Sequence, residues 1–138
     1  MREERYELEP IGWVESPIAD RASAPRQGDE GAPEAWLMIE PTIGPALGDL
    51  LVGQDVIVLT WLDRARRDVL VTHPRDDPTR AACGVFSTRS ADRPNPIGLH
   101  HVKITAIEGT RLRVGNLEAL NQTPVLDIKP VLEPTHER

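Results

Sequence analysis

The chain has one cysteine in 138 residues, one phenylalanine, one tyrosine, and no apolar run near the ~20 residues that cross a bilayer. A lone Cys83 has nothing to pair with, which excludes an internal disulfide and suits a reducing cytoplasm. The first ten residues carry four acids and two arginines, too charged a start for a secretory signal. Aromatic residues make up only 4% of the chain, so platforms on which bases stack are scarce. Trp61 and Phe86 lie in apolar runs and read as core.

Neither G-x-G-x-x-G nor a Walker-type G-x-x-x-x-G-K-[ST] occurs, and the glycines at 44 and 48 have the wrong spacing for either. A Rossmann domain and a P-loop enzyme are thereby set aside. No metal centre is expected. His100 and His101 are adjacent on a predicted strand and leave it on opposite faces, and His73 and His136 have no partner at ligand spacing. Cys83 has no visible base and no nucleophile elbow surrounds Ser87 or Ser90.

Basic charge is scarce, 16 Lys+Arg against 22 acids, for a net charge of −6. The deficit is uneven: residues 1–40 alone carry a net of −6, whereas 61–103 hold eight bases and five acids. An anionic partner would be met in that +3 stretch, which includes Arg64, Arg66, Arg67, Arg75 and Arg80.

Proline and glycine are plentiful, 13 and 10 residues, and they punctuate the whole sequence, so long helices are disfavoured. Strand-like runs occupy residues 11–15, 36–39, 55–62, 69–72, 84–87, 99–107, 111–114 and 125–128. The 55–62 run is nearly all apolar, the pattern of a strand buried on both faces. Val102, Ile104 and Ala106 alternate with Lys103 and Thr105, giving one wet face, and 108–110 turns into Leu112 and Val114 as a hairpin. Residues 43–52 form the only helix candidate of any length. Residues 19–33 and 73–82 read as long loops. The fold class is mostly β: one domain over 1–138, a single-sheet, barrel-like structure with short helical turns that closes to hide its strand edges.

Two stretches carry chemistry. In Gly84–Leu99 (G-V-F-S-T-R-S-A-D-R-P-N-P-I-G-L), Pro94 and Pro96 fix φ and hold Arg93 and Asn95 extended, and Gly98 permits a close backbone approach. The result is a stiff loop carrying Arg89, Arg93 and Asn95, which loses little entropy on binding a polar ligand. In L-E-A-L-N-Q-T-P-V-L-D-I-K-P, residues 121–124 form a turn, and Asp127 and Lys129 then share one face of a strand with Val125. That spacing suits an exposed ion pair and a pair aimed at a site equally well.

Together, G-V-F-S-T-R-S-x-x-R-P-N-P-I-G-L and T-P-V-L-D-I-K-P resemble the TsaA-like family, whose characterised members are S-adenosylmethionine-dependent tRNA adenine-N6 methyltransferases. The resemblance extends to I-G-W-V-E-S-P at 11–17 and P-R-Q at 25–27, and covers roughly residues 11–133. It implies a barrel-like sheet acting as a cytoplasmic homodimer, with S-adenosylmethionine bound near the subunit interface. It places cofactor contacts at Pro25, Arg26, Gln27, Asp63, Arg64, Arg89, Leu99, Asn121, Gln122, Thr123 and Pro124. Arg26 or Arg89 suits a fork onto the cofactor carboxylate, and Gln27 with the 121–124 backbone suits the adenine edge. Arg93 and Asn95 are the substrate-binding candidates, and Asp127 with Lys129 the catalytic pair, Asp127 taking the proton of the methylated amine.

Asn121-Gln122 stands where many relatives have Asp-Gly, Asp63-Arg64 stands where they have a His-Gln-like pair, and Val131 replaces a tyrosine. The chain also reads as a short form without the further C-terminal domain of the bacterial tRNA enzymes. The resemblance implies methylation at N6 of threonylcarbamoyladenosine beside the tRNA anticodon. A small-molecule methyl acceptor and a non-catalytic cofactor- or RNA-binding module are the alternatives.

Overall fold

In a computed structural model, residues 3–18, 34–74 and 77–132 are described. Eight strands form: β1 (Gly12–Glu15), β2 (Ala35–Ile39), β3 (Asp55–Trp61), β4 (Val71–Thr72), β5 (Cys83–Gly84), β6 (Ile97–Glu108), β7 (Arg111–Gly115) and β8 (Pro124–Pro130). Six of them close an antiparallel barrel in the order β1-β2-β7-β6-β3-β8, and β4 pairs with β5 in a separate ribbon. Closure leaves the barrel no free edge, the problem that so many short strands pose.

The interior follows from period-two alternation. Val14, Leu37, Val56, Val58, Val102, Ile104, Leu112, Val114 and Val125 point inward and are almost fully buried, joined by Leu117 and Ala119 from the link before β8. β6 alternates exposed and buried residues from Ile97 to Ile104, which fits the wet face read from its sequence. The register then shifts, so Ala106 pairs with Arg113, and it is Ile107, opposite Leu112, that packs against the core in place of the expected Ala106. The 109–110 hairpin turn closes β6 onto β7, with Gly109 at φ +60°.

Other expectations are corrected. The 43–52 helix is instead a 3-10 helix at Pro41–Leu47, because Pro45 lies inside it and Ile43 has φ −108°. β3 is not buried on both faces: Val56, Val58 and Thr60 face the core, while Ile57, Leu59 and Trp61 are half-buried on the outside. A barrel strand has only one inner face. The 84–87 strand shrinks to Cys83–Gly84, matching a two-residue β4, and the chain then turns into a 3-10 helix at Val85–Ser87. That turn puts Phe86 outside, 83% exposed, rather than in the core.

Candidate functional site

Because every neighbouring pair in the barrel is antiparallel, β1 and β3 end, and β2, β6 and β8 begin, at the same rim. The crossings 16–34, 62–96 and 116–123 all leave from it. That brings Asp63, Arg64 and Asn95, near the two ends of the 62–96 crossing, to the same end of the molecule as the turn Asn121, Gln122, Thr123 and Pro124, while Arg89 and Arg93 lie along that crossing. Asp63 and Arg64, just past β3, are both exposed. Pro25, Arg26 and Gln27 belong to the first crossing and, like His136 and Arg75, lie outside the described residues.

The 121–124 turn is clamped to the exit of β1. Asn121 donates its backbone N–H to Ile18 O (2.8 Å), Gln122 to Val14 O (2.7 Å), and Val14 donates back to Thr123 O (2.9 Å). The Asn121 side chain accepts from Ser16 N through Oδ1 at 3.0 Å, a bond that an aspartate would accept equally. Gln122 takes φ 72°, leaves its side chain exposed, and is followed by Thr123 at 4% exposure.

The crossing 62–96 is stiffened by bonds that sequence spacing does not reveal. Leu62 N–H donates to Pro96 O (2.8 Å) and Arg93 N–H to Arg66 O (3.0 Å), while Arg66 N–H donates to Asp92 Oδ1 at 2.8 Å. The Arg93 side chain donates through one nitrogen to Val85 O and to Thr88 O, the latter at 2.9 Å, and so braces the loop from inside. Arg67, read from the sequence only as one of the bases that would meet an anionic partner, donates through Nε to Pro94 O (2.7 Å) and through Nη2 to Asn95 Oδ1 (2.8 Å). Its guanidinium lies 5.2 Å from the Trp61 ring centroid, at cation–π range. No local motif announces this anchor, because the contacting residues lie 27 and 28 positions away.

The basic stretch is thus largely engaged within the chain. Arg66 pairs with Asp68 (3.0 Å), Arg80 with Asp77 (3.9 Å) and Lys103 with Asp55 (3.3 Å). Arg89 is exposed and has no hydrogen bond or ion pair among the described residues.

On the outer wall, register aligns Leu99 of β6, Leu59 of β3 and Asp127 of β8 in one row, with His101, Ile57 and Lys129 in the next. Asp127 faces outward because of a bulge. Leu59 pairs with Asp127 but the next residue, Thr60, pairs with Val125, so Leu126 is an extra residue on β8. Val125 therefore points into the core, on the opposite side from Asp127, and the expected shared face is corrected. Asp127 and Lys129 do share a face and pair at 3.2 Å, while Asp127 Oδ1 accepts from Ile128 N–H at 2.9 Å.

Beneath the rim, inside the barrel, Thr60 Oγ1 and His100 Nε2 are 2.8 Å apart, and His100 Nδ1 is buried with no partner among the described residues. His101 points the other way and is exposed, as adjacent strand residues must. A Cβ at Gly98 would overlap Thr60 Oγ1 and lie 2.7 Å from His100 Nε2, so the glycine makes room for this pair. Burial pushes the His100 imidazole down to about 4. No three His, Cys, Asp or Glu side chains gather at metal-binding distance among the described residues, and no helix among them is long and apolar enough to cross a membrane.

Residues 13–136 match the family model described as the tRNA-methyltransferase O N-terminal domain. The chain belongs to this family. It is the one that the two motif stretches resemble. Among the relatives of the tRNA-methyltransferase O N-terminal domain family is a probable S-adenosyl-L-methionine-binding protein of Methanothermobacter thermautotrophicus. It is 41% identical over 133 residues, spanning 96% of this chain and 95% of the relative. An S-adenosyl-L-methionine-binding protein of Archaeoglobus fulgidus is 43% identical over 123 residues, spanning 88% and 86%. The crystal structure of TrmO from Pseudomonas aeruginosa superposes with a TM-score of 0.75 at 29% identity, covering 97% of this chain. The chain spans 58% of that TrmO and 33% of a longer Archaeoglobus fulgidus relative.

Proposed function

We propose that the barrel rim binds S-adenosylmethionine and directs its methyl group to an exocyclic amine of tRNA, N6 of threonylcarbamoyladenosine beside the anticodon. The observation that supports the reading is the clamping of the 121–124 turn onto the exit of β1, at the rim where the crossing that carries Arg89 starts and ends, with Asp127 three residues into β8. The residues fit the cofactor. Arg89 offers an unengaged fork for a carboxylate, Leu99, 47% exposed, offers an apolar surface, and the turn offers backbone groups and the exposed Gln122 side chain. Pro25, Arg26, Gln27, Asp63 and Arg64 complete the proposed contacts.

Bound there, S-adenosylmethionine supplies a methyl group on a positively charged sulfur that is open to in-line attack. The protein's own contribution is alignment. Arg93 braces the 85–96 loop from inside and so holds Asn95 against the substrate, and Asp127, oriented by Lys129 and by the Ile128 N–H, accepts the proton that the amine loses. A small-molecule acceptor is the second reading, favoured by the engagement of Arg66, Arg67, Arg80, Arg93 and Lys103 inside the chain, which leaves fewer cations for phosphates. We also propose a cytoplasmic homodimer in which Ile57, Leu59, Trp61, Ile97 and Leu99 on the outer wall meet a second copy.

Transfer of label from S-adenosylmethionine to total tRNA, compared with tRNA lacking the threonylcarbamoyl group, decides the substrate. Transfer only to modified tRNA supports the first reading, and transfer to a small molecule alone supports the second. The cofactor at 100 times its Kd adds ~2.7 kcal/mol, about 8 °C in Tm. No shift would remove both.

A further inference from the structure

Asn95 stands at the rim with an exposed side chain between two prolines, and one bond fixes which way its amide faces. A guanidinium only donates, so the atom 2.8 Å from Arg67 Nη2 must be the carbonyl Oδ1 and not the amide nitrogen. Arg67 has little freedom to release it. Its Nε is bonded to Pro94 O at 2.7 Å and its plane rests 5.2 Å from the Trp61 ring centroid. The Asn95 backbone is held as well, its carbonyl accepting from Ile97 N–H at 2.7 Å. The amide NH2 is left with no acceptor among the described residues. Its donor strength is raised by the positive charge on the far side of the amide. Arg93, the neighbouring candidate, instead brings its Nη2 to the carbonyls of Val85 and Thr88.

We infer that Asn95 is a specificity-determining donor: Arg67 locks its amide so that the NH2 faces the substrate and selects a methyl acceptor carrying an oxygen acceptor, a carbonyl, carboxylate or phosphate oxygen. This rests on the methyltransferase reading above. Arg67 is the positioning residue, acting through Asn95 and never on the substrate itself.

Two substitutions separate recognition from bracing. Asn95→Asp keeps an oxygen for Arg67, now as a charged pair, and removes only the donor. Asn95→Ala removes both. The full chain is assayed for label transfer from S-adenosylmethionine to total tRNA, for cofactor Kd by calorimetry, and for Tm. For Asn95→Asp the expected result is an unchanged Tm and cofactor Kd, with kcat/KM for tRNA down by about tenfold or more, chiefly through KM. Asn95→Ala should lose as much kcat/KM and some Tm as well. A merely bracing Asn95 gives the opposite split, wild-type transfer by Asn95→Asp and loss only in Asn95→Ala, and overturns the inference. An equal loss of cofactor affinity in Asn95→Asp also overturns it, by moving the amide to the cofactor. Absence of transfer to tRNA by the wild-type chain removes the methyltransferase reading and the inference with it.

Discussion

Thr60 on β3 and His100 on β6 meet inside the barrel, Oγ1 to Nε2 at 2.8 Å, a buried polar pair beside the apolar core. The folded chain refuses the proton there: burial pushes His100 from 6.5 down to about 4. An unfolded chain takes that proton up below about pH 6.5. Stability therefore declines as pH falls from about 6.5 to about 4, by up to about 3 kcal/mol, and this contribution then levels off. Asp68 and Asp77, held below the usual carboxylate range by hydrogen bonds from Arg66 and from Thr79, lose stability only at still lower pH. Denaturant midpoints followed from pH 7 to 4 should fall in the wild type and flatten in His100→Ser.

Gly98 leaves the space which that pair fills. Gly98→Ala pushes a methyl group against Thr60 Oγ1 and His100 Nε2 and should cost about 1–3 kcal/mol. In a Thr60→Ala background the obstruction at Oγ1 is gone, so the same change should cost about 1 kcal/mol less. A double-mutant cycle by urea unfolding reads the coupling, and strict additivity would show that crowding is not the cause.

Asp127→Asn keeps the acceptor for Ile128 N–H but removes the carboxylate's basicity. Turnover should drop about 100-fold or more while the thermal shift with S-adenosylmethionine stays within experimental error. Single-turnover label transfer is the measurement, and an unchanged rate takes Asp127 out of the chemistry.

Ile97, 42% exposed on the outer wall, is one of the residues proposed to meet a second copy. Ile97→Glu should leave Tm nearly unchanged and convert a dimer to a monomer by light scattering. A dimer that survives the change places the subunit contact on another face.

Much of the fold was legible because it rests on local alternation: Val102 and Ile104 pointing inward, Lys103 outward, and Gly109 turning the hairpin. What escaped depends on pairing across the chain. The 84–87 run looks like a strand, yet the ribbon it enters is two residues long, and the chain turns before Phe86 can be buried. The Leu126 bulge is invisible until β8 is laid against β3. The motif stretches singled out Asn95, Arg93 and Asp127 as candidates. The bracing role of Arg67, read only as one of a run of bases, was not legible because its carbonyl and amide partners are remote in sequence.

The extra residue at Leu126 makes the outer wall depend on strand pairing as much as on side-chain identity. With Leu126 lost, Val125 and Asp127 would still fall on opposite faces by plain alternation; it is straightening the bulge with all its residues kept that would turn the Asp127 carboxylate toward an apolar interior. Along β8, which face a side chain serves is set by whether the extra residue stays looped out of the pairing.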